Sequence, residues 1–395
     1  MPNWKPLDDL FSRSIDKGHL AGAVVVAWHN SGEAHRAALG LADVARGRAM
    51  VENSIFRLYS MTKPITAAAM MILWDEGKWS PEDALDLHLP ELACLRVMDQ
   101  SGEVRPASRS ATIEELMTQR SGFAYGLTPE PVDDAFRAAG VPSFPRSLSP
   151  PSYLSRIASA PLAHDPGDAW RYGAGMDVQG LLIERLSGMT FGAFLQERIF
   201  DPLCMTDTGF QLRMEDRHRL SSLYMPGGDG IVEVTMPQVS PDFTETPMMA
   251  SGGAGLLSTA DDYARFGRML LDGGALEGRR VLSERAVDMM TRSHTPSEFL
   301  DRGLGTSPHF LRPGYEYAYN GLAVTDPERA GVELGQGTYL WDGAAGTWFW
   351  VDPANDVVLV CMVQLLAPAD HLSLQFQSRA IVAGIVHSIL QGADA

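Results

Sequence analysis

The length, composition and charge of the chain narrow the classes of protein to which it can belong. The chain has 395 residues, of which 45% are hydrophobic and 21% are charged, as in globular proteins. Its 32 basic and 49 acidic residues give a net charge of −17, which opposes nucleic acid and anionic membrane surfaces. Neither nucleic acid nor a membrane is therefore expected as a partner. Cys94, Cys204 and Cys361 form no CxxC pair, which favours a reducing compartment over a disulfide framework.

The N-terminal segment indicates where the protein acts and how the fold begins. MPNWKPLDDLFSRSIDKG carries charge from the start and has no apolar signal core, so we predict a cytoplasmic protein. Apolar residues at helical spacing predict a helix over residues 4–17. The strand-like AGAVVVAWHN (21–30) then reaches a turn at Asn30-Ser31-Gly32 and returns as EAHRAALGLADV (33–44), which predicts a hairpin.

The C-terminal part of the chain repeats the strand pattern and ends in a helix. GQGTYLWDG (335–343), GTWFWVD (346–352) and DVVLVCMVQ (356–364) predict three strands, and residues 371–390 predict the last helix. Strands near both ends favour one antiparallel sheet that is built from both termini and flanked by the terminal helices. We therefore predict an α+β fold, with a sheet domain at 1–56 and 248–395.

The middle of the chain is predicted to be mainly helical, and we assign residues 57–247 to a second domain. ITAAAMMILWDEG (65–77), MDVQGLLIERLSG (176–188) and TADDYARFGRMLLDGG (259–274) have helical spacing and end in glycine. The proline-rich segment 127–153 predicts a long irregular loop. The active site is expected at the interface between the two domains.

The stretch FRLYSMTKPITA (56–67) places Ser60 three residues before Lys63. If a helix begins at Met61, Ser60 stands at its N-terminus and Lys63 lies on the same face one turn later. A partly buried lysine with a lowered pKa can take the proton of a serine nucleophile. A helix cap beside a solvated lysine would give the same pattern, and Ser14 and Lys17 have the same spacing within a predicted helix. The bare motif therefore leaves both interpretations open.

The segments around this pair carry a family resemblance. FRLYSMTKPITAAAMMILWDEGKWSPEDAL resembles the nucleophile segment of the penicillin-recognising serine enzymes, especially the family VIII carboxylesterases related to class C β-lactamases. Further matching segments follow in the family's order: LMTQRSGF (116–123), DPGDAWRYGAGMDVQGLLIERLSG (165–188), IFDPLCMTDTGF (199–210), SGGAGLLSTADDYARFGRMLLDGG (251–274) and WDGAAGTWFWVDP (341–353). The resemblance implies a β-lactamase/transpeptidase-like fold.

The resemblance also assigns site residues. It implies that Tyr172 exchanges protons with Lys63, although a tyrosine that only packs its ring is the commoner case. Trp341 and Gly343 match the W-x-G of the esterase branch and imply substrate contact, while a tryptophan on a strand is equally a core residue. The backbone N–H groups of Ser60 and Ala344 would form the oxyanion hole.

Departures from the wider family bear on the substrate. The triplet Tyr172-Gly173-Ala174 replaces Y-x-N, and no K-T-G lysine exists, which favours neutral esters over β-lactams. No G-x-S-x-G, nucleotide loop or metal-ligand spacing is present, so we expect no metal and no cofactor. We predict a serine carboxylesterase for short-acyl esters. A β-lactamase or D-peptidase, an acyltransferase, and a catalytically inert binding or sensor protein are the alternatives, and the oligomeric state is open.

Overall fold

Helices and strands follow one another along the chain without a repeating order. The computed structural model describes residues 3–30, 32–99, 101–228, 230–301, 311–366 and 371–390, so Ser31 of the predicted first turn lies outside the described residues. The helices are α1 (Lys5–Asp16), α2 (Thr62–Asp75), α3 (Leu85–His88), α4 (Ile113–Met117), α5 (Pro131–Ala138), α6 (Pro150–Ser159), α7 (Gly175–Ser187), α8 (Phe191–Leu195), α9 (Asp201–Leu203), α10 (Ala260–Leu271), α11 (Glu284–Thr291), α12 (Ser297–Asp301), α13 (Pro327–Ala330) and α14 (His371–Leu390). The strands are β1 (Gly22–His29), β2 (Gly32–Asp43), β3 (Arg48–Ala49), β4 (Phe56–Arg57), β5 (Arg96–Met98), β6 (Val104–Pro106), β7 (Tyr224–Gly227), β8 (Gly230–Glu233), β9 (Leu257–Ser258), β10 (Ala275–Leu276), β11 (Arg279–Arg280), β12 (Tyr315–Tyr317), β13 (Leu322–Val324), β14 (Tyr339–Asp342), β15 (Trp348–Asp352) and β16 (Val357–Met362).

One eight-stranded antiparallel sheet joins the two ends of the chain. Its strand order is β12-β13-β14-β15-β16-β1-β2-β3. The N-terminal β1 pairs directly with the C-terminal β16, with Val24 opposite Met362. This pairing confirms the predicted sheet built from both termini. Sequence reasoning missed β12 and β13, because strands of three residues are too short to show alternation.

Helices cover both faces of this sheet. Phe11 of α1 stacks on Trp348 with ring centroids 5.9 Å apart, whereas Tyr263 of α10 packs against the next residue, Phe349, at 4.9 Å. Successive residues of a strand point to opposite faces, so α1 and α10 lie on opposite sides of the sheet. The C-terminal α14 contacts α1 and lies on the same side. The terminal helices therefore flank the sheet as predicted.

The helices predicted in the middle are present, but the predicted irregular loop at 127–153 is wrong. This segment contains α5 and the start of α6. Each helix has proline in its first turn, where the missing N–H costs least, and Ser149 caps α6 by accepting from the N–H of Ser152. The prolines that indicated a loop therefore start helices. The domain boundaries at 56/57 and 247/248 stay a prediction.

Helix α2 runs through the protein interior. All of its residues from Thr62 to Leu73 are buried, which is typical of a helix surrounded by other elements. It begins at Thr62 instead of the predicted Met61, because a 3₁₀ turn over Tyr59–Met61 precedes it. Ser60 therefore lies in that turn. None of the helices in the described part of the chain is long and apolar enough to cross a membrane.

Candidate active site

The turn that carries Ser60 has an unusual backbone and is anchored on both sides. Tyr59 has φ +46°, in the left-handed region that residues other than glycine rarely adopt. Its hydroxyl donates to the carbonyl oxygen of Val239 at 2.8 Å. On the other side, the Tyr263 hydroxyl donates to the carbonyl oxygen of Met61 at 2.7 Å. These two hydrogen bonds hold the turn in a conformation that the local sequence does not favour.

The structure brings the three predicted catalytic side chains together at this turn. The Lys63 amine donates to Ser60 Oγ at 3.0 Å, and the Tyr172 hydroxyl donates to the same oxygen at 2.7 Å. The Lys63 amine also donates to the carbonyl oxygen of Gly253 at 2.6 Å. Ser14 and Lys17, which have the same spacing as Ser60 and Lys63, lie in a different environment, because Lys17 is exposed at the end of α1. Ser60 Oγ is therefore within proton-transfer distance of both an amine and a phenol.

Burial determines the proton affinity of the amine. The Lys63 side chain is only 1% exposed. Loss of solvation lowers the pKa of Lys63 to about 7, although the nearby carboxylates of Asp177 and Asp342 act in the opposite direction. The ammonium form is also attracted to the ring of Tyr172, whose centroid lies 4.8 Å from Nζ. A substantial share of the amine is thus neutral at physiological pH and able to accept a proton.

Tyr172 lies among other aromatic rings. Its centroid is 5.5 Å from that of Tyr125, 6.4 Å from that of Trp170 and 5.9 Å from that of Trp341. Burial raises the pKa of Tyr172 well above its ordinary value of 10.0. The phenol therefore keeps its proton at neutral pH and serves as a proton donor. Burial thus lowers the pKa of Lys63 and raises the pKa of Tyr172. At neutral pH, Ser60 Oγ therefore lies between one group that can accept a proton and another that can donate one.

The W-x-G segment lies beside the nucleophile turn. Trp341 is 2% exposed and packs on Tyr172, so much of its ring contacts protein. A Cβ on Gly343 would lie 2.2 Å from the carbonyl oxygen of Leu58, so no other residue fits without a shift. Because Gly343 has no side chain, the turn that contains Ala344 packs directly against the backbone that leads to Ser60. Contact of Trp341 and Gly343 with substrate stays a prediction.

These features agree with what comparison with known proteins finds. The profile of the beta-lactamase family matches residues 7–383. The chain belongs to the beta-lactamase family. The predicted relation to class C β-lactamase-like esterases and the predicted fold are thereby confirmed.

Three members of the comparison show which kinds of protein the chain resembles. Protein Rv1367c of Mycobacterium tuberculosis is 34% identical over 360 residues, which cover 88% of this chain and 87% of that protein. Esterase EstB of Burkholderia gladioli is 31% identical over 369 residues, with the same two coverages of 88% and 87%. The solved structure of EstCE1, described as a hydrolase with promiscuous acyltransferase activity, superposes with a TM-score of 0.79 at 23% identity, covering 96% of this chain and 98% of that one. The protein is a beta-lactamase-family serine hydrolase or acyltransferase.

Gln119 holds the backbone on either side of Tyr172, a role that sequence reasoning did not assign. Its side-chain oxygen accepts from the N–H of Gly173 at 3.0 Å, and its carbonyl oxygen accepts from the N–H of Arg171 at 2.8 Å. A Cβ on Gly173 would lie 1.8 Å from the carbonyl oxygen of Phe123, so this position requires glycine. The departure from the family's Y-x-N triplet thus occurs in a tightly packed segment.

Asp177 is a second site residue that sequence reasoning missed. It is fully buried on α7, and its carboxylate accepts from Ser251 Oγ at 2.6 Å and from the N–H of Gly253 at 3.3 Å. Burial raises the pKa of Asp177, while the Lys63 amine opposes that rise. A Cβ on Gly252 would lie 2.2 Å from the carbonyl oxygen of Met176, so the segment 251–255 packs closely against the start of α7. An aspartate in the first turn of a helix is common because it complements the helix dipole, so the sequence offered no signal for this role.

Proposed function

We propose that the protein is a serine carboxylesterase that hydrolyses short-acyl esters through an acyl-enzyme on Ser60. The observation that carries the proposal is the position of Ser60 Oγ between a buried amine of lowered pKa and a protonated phenol, at 3.0 and 2.7 Å. An ordinary lysine with a pKa of 10.5 is almost entirely charged at neutral pH and would be a poor base. Burial of Lys63 removes this obstacle.

The first half of the proposed reaction forms the acyl-enzyme. Neutral Lys63 accepts the proton of Ser60 as Oγ attacks the ester carbonyl carbon. The backbone N–H groups of Ser60 and Ala344 stabilise the oxyanion of the tetrahedral intermediate. As the carbon–oxygen bond to the alcohol breaks, Tyr172 donates its proton to the leaving oxygen and takes one back from the Lys63 ammonium. The alcohol leaves, and the acyl group stays on Ser60.

The second half releases the acid. The same pair takes a proton from a water molecule, which attacks the acyl carbon, and the proton returns to Ser60 Oγ as the acid departs. The alcohol therefore leaves before water enters, so the kinetics are ping-pong.

The substrate class follows from the charges near the nucleophile. The chain has four lysines, at positions 5, 17, 63 and 78, so no lysine stands on β14 where the related β-lactamases and penicillin-binding proteins carry one. Trp341 occupies that position, and the next residue is Asp342. A carboxylate at this edge would repel the carboxylate of a β-lactam, which supports neutral esters. The aromatic rings around Tyr172 offer an apolar surface to an uncharged substrate, and the preference for a short acyl group rests on the family resemblance.

Replacement of Ser60 tests the proposal. We expect Ser60→Ala to abolish hydrolysis of p-nitrophenyl butyrate, whereas Ser14→Ala, which removes the serine of the other S-x-x-K, leaves the rate unchanged. Circular dichroism would establish that both variants are folded. Full activity in purified Ser60→Ala would refute the proposal, and complete inactivity of the wild-type protein toward esters would favour the inert binding or sensor alternative.

Two related activities share the same acyl-enzyme. A β-lactamase or D-peptidase would hydrolyse nitrocefin or a D-alanyl peptide faster than p-nitrophenyl butyrate, and we expect the opposite order. An acyltransferase would transfer the acyl group to an added alcohol, and EstCE1 is a hydrolase with promiscuous acyltransferase activity. Product analysis with and without an alcohol acceptor separates acyl transfer from hydrolysis. A cytoplasmic location is part of the proposal, supported by cysteines that are all unpaired.

A further inference from the structure

A cleft of about 690 Å³ lies apart from the catalytic residues. It is lined by residues of the segment 214–223, by residues 233–235 at the end of β8 and by Asp43 at the end of β2, and its described lining includes none of the proposed catalytic residues. The Tyr59 side chain, bound to the Val239 carbonyl oxygen, lies close to its edge, where Ser240 lines the cleft. The volume is in the range of small-molecule sites in proteins.

Arg57 supplies a buried cation at this cleft. Its side chain lies among the lining residues and is 7% exposed. Nη1 donates to the carbonyl oxygen of Ser221 at 2.7 Å and to Gln364 Oε1 at 3.2 Å. Among the described residues, Nε is buried without a hydrogen-bond partner and no carboxylate forms an ion pair with this guanidinium. Burial accordingly lowers the pKa of Arg57 to about 10.

A buried charge is costly, and the compensation for this one is indirect: Glu233 favours the charged form of Arg57 without an ion pair, and the ring centroid of Phe243 lies 5.5 Å from the guanidinium carbon. The cleft also contains Arg46, whose guanidinium is bound to Asp43, and Arg48, which donates to a backbone carbonyl oxygen. Glu233 lines the cleft but forms no hydrogen bond with Arg57 within the described ranges. A charge removed from water without an ion-pair partner destabilises the folded protein, and an anion in the cleft would offset this cost.

The cleft walls indicate which anion fits. Leu220, Leu223 and Val234 give it an apolar side, and the acidic Glu215 and Glu233 also line it. Arg46 and Arg217, which also line the cleft, have carboxylate partners in Asp43 and Asp242, so Glu215 and Glu233 repel a dianion such as phosphate more strongly than a monoanion. The planar guanidinium matches a carboxylate in geometry. We propose that the Arg57 cleft binds a small organic monocarboxylate with an apolar tail, at a site separate from the catalytic serine.

The cleft is connected to the nucleophile turn through the backbone. Gln364 accepts from the N–H of Arg57 at 3.2 Å and donates to its carbonyl oxygen at 3.1 Å, so it holds the strand that leads to Ser60 three residues later. A bound carboxylate would therefore lie beside the segment that positions the nucleophile. The site is independent of the proposed esterase reaction, because it is present whether or not Ser60 reacts.

Thermal stability in the presence of hexanoate tests this proposal on the full-length Ser60→Ala protein at constant ionic strength. We expect saturable stabilisation by hexanoate, weaker stabilisation by acetate, and none by hexanol, which lacks the charge. Arg57→Met should weaken hexanoate binding at least tenfold by calorimetry, and Arg46→Met, which removes an exposed arginine already paired with Asp43, should leave it unchanged.

A second variant keeps the test decisive if Arg57→Met does not fold. Ser222 lines the cleft and follows Ser221, whose carbonyl oxygen binds Arg57, so Ser222→Glu places a carboxylate inside the cleft. We expect this folded variant to lose hexanoate binding. Equal binding to wild type and Ser222→Glu would overturn the proposal, as would absence of saturable binding. Tighter binding of inorganic phosphate than of hexanoate would overturn the assignment to a monocarboxylate.

Discussion

The low pKa of Lys63 leads to a stability prediction that needs no substrate. The difference between 10.5 and about 7 corresponds to about 5 kcal/mol, at about 1.4 kcal/mol per pKa unit. Below pH 7 the amine is protonated in the folded and unfolded chains alike, so the folded protein bears the full cost of a buried cation. Between pH 7 and 10.5 the unfolded chain binds a proton that the folded chain lacks, so the free energy of unfolding rises with pH.

Lys63→Met removes this titration while it nearly preserves side-chain volume. We expect the variant to lose esterase activity and, at about pH 6, to unfold with a free energy up to about 5 kcal/mol higher than wild type. Above pH 7 the gap should narrow by about 1.4 kcal/mol per pH unit. Urea denaturation followed by tryptophan fluorescence between about pH 6 and 9 measures this gap.

Two controls isolate the amine. The first control repeats the comparison of Lys63 with Lys63→Met in an Asp177→Asn background, where the buried carboxylate cannot titrate. Loss of that carboxylate lowers the pKa of Lys63 further, so the difference in unfolding free energy between the two proteins should become larger. Lys17→Met, at the exposed lysine of the other S-x-x-K, should show no pH-dependent gap. Parallel stability curves for wild type and Lys63→Met across this range would refute the reasoning, because they would show that the amine is not a buried base of low pKa.

Three further predictions concern activity. First, kcat/KM for a neutral short ester should rise with pH through about 7 as Lys63 loses its proton, and then remain level while Tyr172 keeps its own; a rate that falls across this range would contradict it. Second, Tyr172→Phe should lower kcat by a factor of about 10² to 10⁴ with an unchanged circular dichroism spectrum, and wild-type turnover would exclude the phenol from proton transfer. Third, Gly343→Ala should lower kcat/KM at least tenfold, because the new Cβ would lie 2.2 Å from the Leu58 carbonyl oxygen. The control Gly384→Ala should match wild type in the same assay, because no atom lies within 4 Å of its Cβ. Equal kcat/KM for the two variants would contradict the predicted clash.

Local patterns were sufficient to predict the outer parts of the fold. β-Branched residues and the turn that follows them located β1 and β2, and apolar residues at helical spacing located α1, because these signals are local in the sequence. The segment 127–153 was misread because proline has opposite meanings at a helix start and within a helix. Only the surrounding structure decides between them.

The catalytic group could be predicted only in part. Ser60 and Lys63 are close in sequence, and the family resemblance supplied Tyr172. Asp177 could not be located and Gln119 could not be given its role, because both roles depend on burial and on contacts between segments that lie far apart in the chain. Their side chains contact the backbone beside the catalytic residues, and such contacts leave no residue pattern.

Covalent labelling of Ser60 tests the central claim most directly. A p-nitrophenyl alkylphosphonate should attach one phosphonyl group per protein molecule, on the peptide that contains Ser60, and ester hydrolysis should be lost in the same proportion. Mass spectrometry of the digested protein locates the group. A label on another residue that accompanies the loss of activity, or full activity after complete labelling of Ser60, would contradict the claim that this hydroxyl carries the acyl group.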